Sequence, residues 1–465
     1  MFNAIKNNEM KKNKPTLKEV YIVHCVDTEG PMYESIESTF RRVKDVFGFD
    51  IEANNNNLKL LQNKDMDLNG KEEAVRNLLS PKRLNMNETW HDVDQMLDKI
   101  TSDKFRNKIT DSSGNGWVYT WFCLDHVGFI GENPRRRDAG HHNIFDHYVS
   151  RLKSNSSRDL IQWHYHPLPA NGNYNSSGVA YLNSPNVWEV LSRKIIDRHW
   201  FPSVYRPGFH CERPDSHWFL EQWIPFDFAN QSVKNKINET DQPDLSNGRW
   251  GDWREAPIRW GAYHPSHDNY QLPGDCRRWI FRCLNMEARL REITEEDVRD
   301  GFIQAQQGER ACISFTNHDF RDMEPEINKV RGMIDAVSKE MPDVKYYFVD
   351  ALTAAKKMLN LKPTSPNLNI RFNKKSKDEL ILSIKAEGDL FGPQPYLAIK
   401  TRDARYLWEN LDRQSKDEWS FTFDGNHISP NSIEKVGVAS NSPSGSTQVV
   451  VYDLDSEKFE NHTYY

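Results

Sequence analysis

The chain has 465 residues, 37% of them hydrophobic, which is enough to bury a sizeable core and fill two or three domains. Its 61 basic and 67 acidic residues give a formal charge of −6 with no long basic run, so a nucleic-acid partner is not expected. No apolar run approaches the roughly 18 residues that cross a bilayer. The polar extension over residues 1–18 lacks the apolar centre of a secretory signal, so a cytoplasmic protein without a transmembrane segment is expected.

The first element is VYIVHCVDTEGP, residues 20–31, an apolar strand that ends in two carboxylates. Residues i and i+2 of a strand share a face, so Asp27 and Glu29 point the same way. Like charges so close repel unless a cation or a proton lies between them, and a simple polar turn after the strand is the alternative reading. A polar stretch at about 33–115 follows, with helical patterns such as ESIESTFRRVKDVFGF and WHDVDQMLDKI, and reads as a helical insertion. An aromatic strand at about 117–124 comes next, then the loop GENPRRRDAGHHN, the helix IFDHYVSRLK and the strand LIQWHYHPLP.

The alternation continues through a helix at about 186–198, the strand SVYRPGFH, a helix around SHWFLEQW and the strand PFDFANQS. Beyond a tryptophan-rich loop lie the helix EEDVRDGFIQAQ, the strand ACISFTNHDF, a helix at about 325–340, the strand VKYYFVD and the helix ALTAAKKML. Strands alternating with helices predict a parallel α/β fold, and some seven repeats favour a barrel over an open sheet. From about 367 to 465 the pattern changes to short strands between Gly, Pro, Asn and Ser turns, which predicts an all-β sandwich as an accessory domain. The six cysteines show no CxxC spacing and suggest neither a disulfide nor a zinc-finger framework, and several, such as Cys25 and Cys312, read as packing residues of apolar strands.

Four predicted strands end in polar residues: Asp27 and Glu29, His164 and His166, Arg206, and His318. In a parallel βα barrel such ends converge on one face, where active sites lie. His164 and His166 share a strand face, so both imidazoles can reach one metal, with a carboxylate from a neighbouring strand completing a catalytic set with an open position; a pair packed among Trp163 and Tyr165 is the alternative. Trp250, Trp253, Trp260, Tyr263 and Tyr270 in one stretch offer aromatic faces to a sugar, with packing over the barrel as the alternative. The run Arg135, Arg136, Arg137 suits a phosphate or carboxylate, with Arg136 taken as the substrate contact and a solvated loop as the alternative.

VDTEGP, WHYHP, YRPGF and FTNHD, in this order, resemble the motifs of the polysaccharide deacetylases, the NodB-homology or carbohydrate esterase family four group, over about residues 19–358 of a barrel domain expected at 19–362. The resemblance implies a distorted (β/α)7 barrel that removes acetyl groups from sugars with a divalent metal, usually zinc. It implies Asp27 as catalytic base, Glu29 with His164 and His166 as metal ligands, Arg206 orienting the base, and His318 as general acid. The chain departs from the family in carrying Glu29 where Asp is usual, and histidines two apart where four is usual; His141, His142, His264 and His267 are reserve ligands.

The expected activity is removal of an acetyl group, N-acetyl favoured over O-acetyl, from a sugar, glycan precursor or polysaccharide. A metal-dependent amidohydrolase acting on a non-sugar amide and a non-catalytic glycan-binding relative are the alternatives. Homo-oligomerisation is left open.

Overall fold

The computed structural model describes residues 17–130, 132–153, 158–172, 178, 180–182, 184–234, 251–288 and 290–464. The alternating elements of the first part build one curled, mainly parallel sheet against which helices pack. Its strands are β1 (Glu19–Thr28), β2 (Tyr119–Leu124), β3 (Leu160–Tyr165), β4 (Val204–Pro207), β5 (Phe226–Asn230), β6 (Ala262–Tyr263), β7 (Trp279–Arg282), β8 (Leu284–Asn285), β9 (Ala311–His318) and β10 (Lys345–Phe348). They follow the order β6-β7-β5-β4-β3-β2-β1-β9-β8, and only β6 with β7 is antiparallel. β1 shares one edge between β10, at Glu19–Ile22, and β2, at His24–Thr28; β9 runs along its other edge. β6, β7 and β8 fall in or just after the stretch expected to be loop, because strands of two to four residues are too short to show alternation.

The period of two along β1 separates two cores. Tyr21, Val23 and Cys25 pack with Val204, Phe228, Phe281 and Cys312, whereas Val20, Ile22 and Val26 pack in a larger cluster with helix residues such as Phe302 and Ile327. Asp27 and Glu29 continue the first series. The same side of the sheet is thus apolar along most of β1 and turns polar at its C-terminal end.

The insertion consists of helices α1 (Ile36–Phe47), α2 (Asn55–Asn63), α3 (Glu72–Leu78), α4 (Pro81–Leu84), α5 (Trp90–Ile100) and α6 (Asp103–Arg106). Phe40, Val43, Leu61, Val75 and Leu78 give its first part a small core of its own. Val93, Met96, Leu97 and Ile100 of α5 join the main core instead. Further helices among the described residues are α7 (Asn143–Lys153), α8 (Pro185–Arg198), α9 (Pro214–Leu220), α10 (Glu295–Gln306), α11 (Glu324–Glu340) and α12 (Ala351–Met358). No helix among the described residues is long and apolar enough to cross a membrane.

The C-terminal part has two antiparallel sheets: β11 (Asn367–Ser376), β12 (Glu379–Glu387), β16 (Glu418–Asp424) and β15 (Asp412–Arg413) in one, and β14 (Tyr406–Glu409), β13 (Tyr396–Thr401), β17 (Ile433–Asn441), β18 (Thr447–Asp453) and β19 (Lys458–Tyr464) in the other. Leu382, Ile384, Leu397, Phe421, Phe423 and Val438 meet between them. β11 and β19 are absent from the sequence expectation: β19 is polar and largely exposed, and the apolar alternation of β11 is confined to Leu368, Ile370 and Phe372 before a charged, exposed end. The second face of the five-stranded sheet is also buried: Tyr396, Ala398, Ala439, Val449 and Val451 belong to the main core, together with Val187, Leu191 and Ile195 of α8.

Candidate functional site

Parallel register brings the polar strand ends level. Asp27 lies opposite His318 in the β1–β9 pair, and His164 lies opposite Arg206 in the β3–β4 pair. Residues that are far apart in the chain therefore meet because each occupies the last inward position of its own strand. After β4 the chain turns sharply through Gly208. A Cβ at this position would stand 2.4 Å from Cδ2 of His166, so only glycine leaves room for that imidazole. Phe209 and His210 then adopt φ of 53° and 51°, a conformation costly for residues with a Cβ.

Asp27 is bound on both oxygens by Arg206, with Nε donating to Oδ1 at 2.6 Å and Nη2 to Oδ2 at 2.9 Å. Burial alone would raise this carboxyl, but the guanidinium outweighs it and holds Asp27 far below the usual carboxylate range. Glu29 receives Nη1–H of Arg137 on Oε2 at 2.5 Å. Here too burial raises and the guanidinium lowers, with a net fall to about 2.

Nδ1 of His164 lies 2.9 Å from the carbonyl of Arg206, which can only accept; Nδ1 therefore carries the proton and Nε2 a lone pair. That Nε2 stands 3.0 Å from Nε2 of His166, with the two rings nearly perpendicular at 89°. The free oxygen of Glu29, Oε1, is 3.7 Å from Nε2 of both His166 and His318. Glu29, His164 and His166 thus form a buried group, with donor atoms within 4.8 Å of one another, that could hold a metal ion. The donor chemistry fits: two imidazole nitrogens and one carboxylate oxygen converge, and the other carboxylate oxygen and the other nitrogen of His164 are already satisfied. His318 is partly exposed, and burial takes its pKa down to about 4 against the pull of Glu29 and Asp27.

These groups line a cavity of about 270 Å³. Its far walls come from the insertion, through Ser38, Arg41, Arg42, Asp45, Leu78, Arg83 and Met86, and from Asn285, Glu287, Leu290, Phe320 and Arg321. The sequence-predicted aromatic platform is not part of it. Trp253, Trp260 and Tyr263 are buried as packing residues, Tyr270 is buried beside them, and none lines the cavity; Trp250 lies outside the described residues. Trp253 donates Nε1–H to the carbonyl of His210 at 3.1 Å, and Trp260 donates to the carbonyl of Asp297 at 2.6 Å. A tryptophan-rich loop can bury its rings wherever the fold leaves space, and here it backs the strained turn at Phe209 and His210.

Arg136 is also displaced from its expected role. It is exposed, with its guanidinium 4.0 Å above the ring of Tyr33, while its neighbours Arg135 and Arg137 line the cavity. The carboxylates that the arginine run binds are the protein's own, Glu29 for Arg137 and Glu34 for Arg135. None of the four reserve histidines is among the residues around the cavity.

Two further residues belong to the site without having been singled out. Asp319, next to His318, accepts the N–H groups of Glu29 and Gly30 and the hydroxyl of Tyr148, so it pins the end of β1; burial pushes it up to about 7. His126 is buried with its ring 5.8 Å from that of His166. Its signal is the same as for the others, a polar residue after an apolar strand, here FCLDH. No family model matches the chain, and no curated protein matches it.

Proposed function

We propose that this chain is a metal-dependent hydrolase of the polysaccharide deacetylase type, with a distorted (β/α)7 barrel, that removes an acetyl group from a sugar or glycan precursor. The observation that carries the reading is the division of labour at the strand ends. Arg206 reserves Asp27, and the free oxygen of Glu29 converges with two imidazole nitrogens. Zinc suits a set of two histidines and one carboxylate with an open position. When bound, such an ion would polarise the acyl carbonyl and acidify the attacking water.

Asp27 takes the proton of that water. A carboxylate held so low is a weak base, so the proton passes on to His318. His318 is neutral near pH 7 before the reaction, and it gives the proton to the leaving amine or alkoxide. The walls that the insertion raises favour a single acylated sugar unit or a chain end over the interior of a polymer.

One observation favours the second reading, an amidohydrolase acting on a non-sugar amide: His126 is a third imidazole close to His166. A purely binding role leaves the Asp27–Arg206 pair and His318 without use.

The test is metal content and acetate release from a panel of N- and O-acetylated sugars, with acetylated non-sugar amides alongside. The wild-type chain is expected to release acetate from a sugar. The His164→Ala/His166→Ala variant should remain folded, lose this metal and stop turning over. Metal-loaded protein that cleaves only non-sugar amides would favour the second reading. Protein that cleaves nothing would overturn the enzymatic one.

A further inference from the structure

A second group of donors meets away from the cavity, between the end of α9 and the loop 264–277. Both carboxylate oxygens of Glu221 lie close to Nε2 of His267, at 2.9 and 3.0 Å, and Sγ of Cys276 is 2.8 Å from Oε2. One donor atom from each residue falls within 4.8 Å of the others. Cys276 is buried, and the other two are partly exposed.

Each donor is oriented by a neighbour. Oδ1 of Asp275 is 3.3 Å from Nδ1 of His267, which fixes the ring, while Nε2–H of His267 and Sγ–H of Cys276 both donate to Glu221, so a metal entering the group would replace those two protons. The N–H of Arg277 donates to Glu221 Oε2 at 3.3 Å. The loop itself is preformed, because Ser266 N–H bonds to Leu272, Gly274 N–H to His264 and Cys276 N–H to Pro265. A Cβ at Gly274 would stand 2.5 Å from Cα of Ser266, so glycine permits this tight return.

We propose that Glu221, His267 and Cys276 bind a second divalent cation of the zinc class, with water in the fourth position, and that the ion braces the loop. One sulfur, one imidazole and one carboxylate make a borderline-soft set that suits zinc and excludes magnesium or calcium. The cavity described above is not lined by any of the three, and the ion ties the loop to α9. The loop carries Tyr270, whose hydroxyl accepts the N–H of Asp252, and Gln271, whose side chain accepts the N–H of Glu255. Through these bonds it holds the segment of Trp253, which backs Phe209 and His210 at the cavity. The group His199, Glu460 and His462 lacks a thiolate and a buried donor and is the weaker candidate.

The test uses the full chain carrying His164→Ala and His166→Ala, so that its outcome is independent of the first site. Titration with cobalt(II) should give about one bound ion with thiolate-to-cobalt charge-transfer absorption, displaced by zinc. Cys276→Ser should abolish that absorption, and His267→Ala, at a partly exposed position, should weaken binding by more than about tenfold. Near-UV circular dichroism checks that each variant is folded. If Cys276→Ser fails to fold, the His267→Ala arm decides. Absence of the absorption at saturating cobalt, its persistence in Cys276→Ser, or unchanged binding in His267→Ala would overturn the site.

Discussion

Asp27 and Glu29 stand two residues apart on one strand, yet each has its own guanidinium, Arg206 for the first and Arg137 for the second. This pairing makes their roles separable. Asp27→Asn is expected to keep its metal and lose roughly 10²- to 10⁴-fold in turnover, the range for removing a general base. Bound metal and acetate release, measured together, check it; metal loss in this variant would assign Asp27 as a ligand.

Arg137→Met leaves Glu29 buried without its counter-charge, so its pKa rises and protons compete with the metal. Metal affinity should fall about 10- to 100-fold, and further at pH 5 than at pH 7, as read by competition with a chelator. His24 carries a different kind of pH dependence. It is buried, accepts Nε1–H of Trp117 at 3.0 Å and bonds Asn317 at 2.9 Å, and burial lowers its pKa to about 3. The unfolded chain therefore takes up a proton that the folded one refuses. Stability should fall as pH drops from about 6.5 towards 3, and His24→Asn should remove about one proton from that slope in urea titrations.

At the scale of single elements, the turn after β4 stores strain close to the candidate metal ligands. Two consecutive non-glycine residues with positive φ cost about 1–3 kcal/mol each, and they hold only because the surroundings fix them. Gly251 N–H donates to the carbonyl of Phe209, Trp253 to that of His210, and Arg291 to that of Gly251. Gly208→Ala tests how closely this turn and His166 are matched. The added methyl would meet the imidazole ring, so His166 must move; metal affinity should drop at least about tenfold while far-UV circular dichroism is unchanged. Unchanged affinity would mean that the turn relaxes without disturbing the ligand.

Across the whole molecule, α8 connects the curled sheet to the C-terminal sheets. One face of the five-stranded sheet packs against it, and Gly437 permits the contact, since a Cβ there would come 2.5 Å from Cγ2 of Ile195. Tyr396 donates its hydroxyl to the carbonyl of Trp188, and Asn441 donates to the carbonyls of Pro202 and Trp223. Deleting residues 367–465 would expose this apolar surface and orphan those carbonyls. The shortened chain should aggregate or lose its cooperative unfolding transition, as seen by sedimentation and thermal melting. A soluble, cooperatively folding 1–366 fragment would show that the shared core is dispensable.

Asp27, Glu29, His164, His166, Arg206 and His318 were readable from the sequence because strand periodicity is local. An apolar run ending in a polar residue names a strand end, and i, i+2 spacing names a shared face. The change to short strands near residue 367 was readable for the same reason. The pairing of Arg137 with Glu29, the hold of Asp319 on the end of β1, and the burial of Trp253 and Trp260 were not. An arginine run, an acid beside a histidine and a tryptophan-rich loop look alike in sequence whether they face solvent, substrate or protein. Their partners lie far away in the chain, and only strand register and loop packing decide which of them they meet.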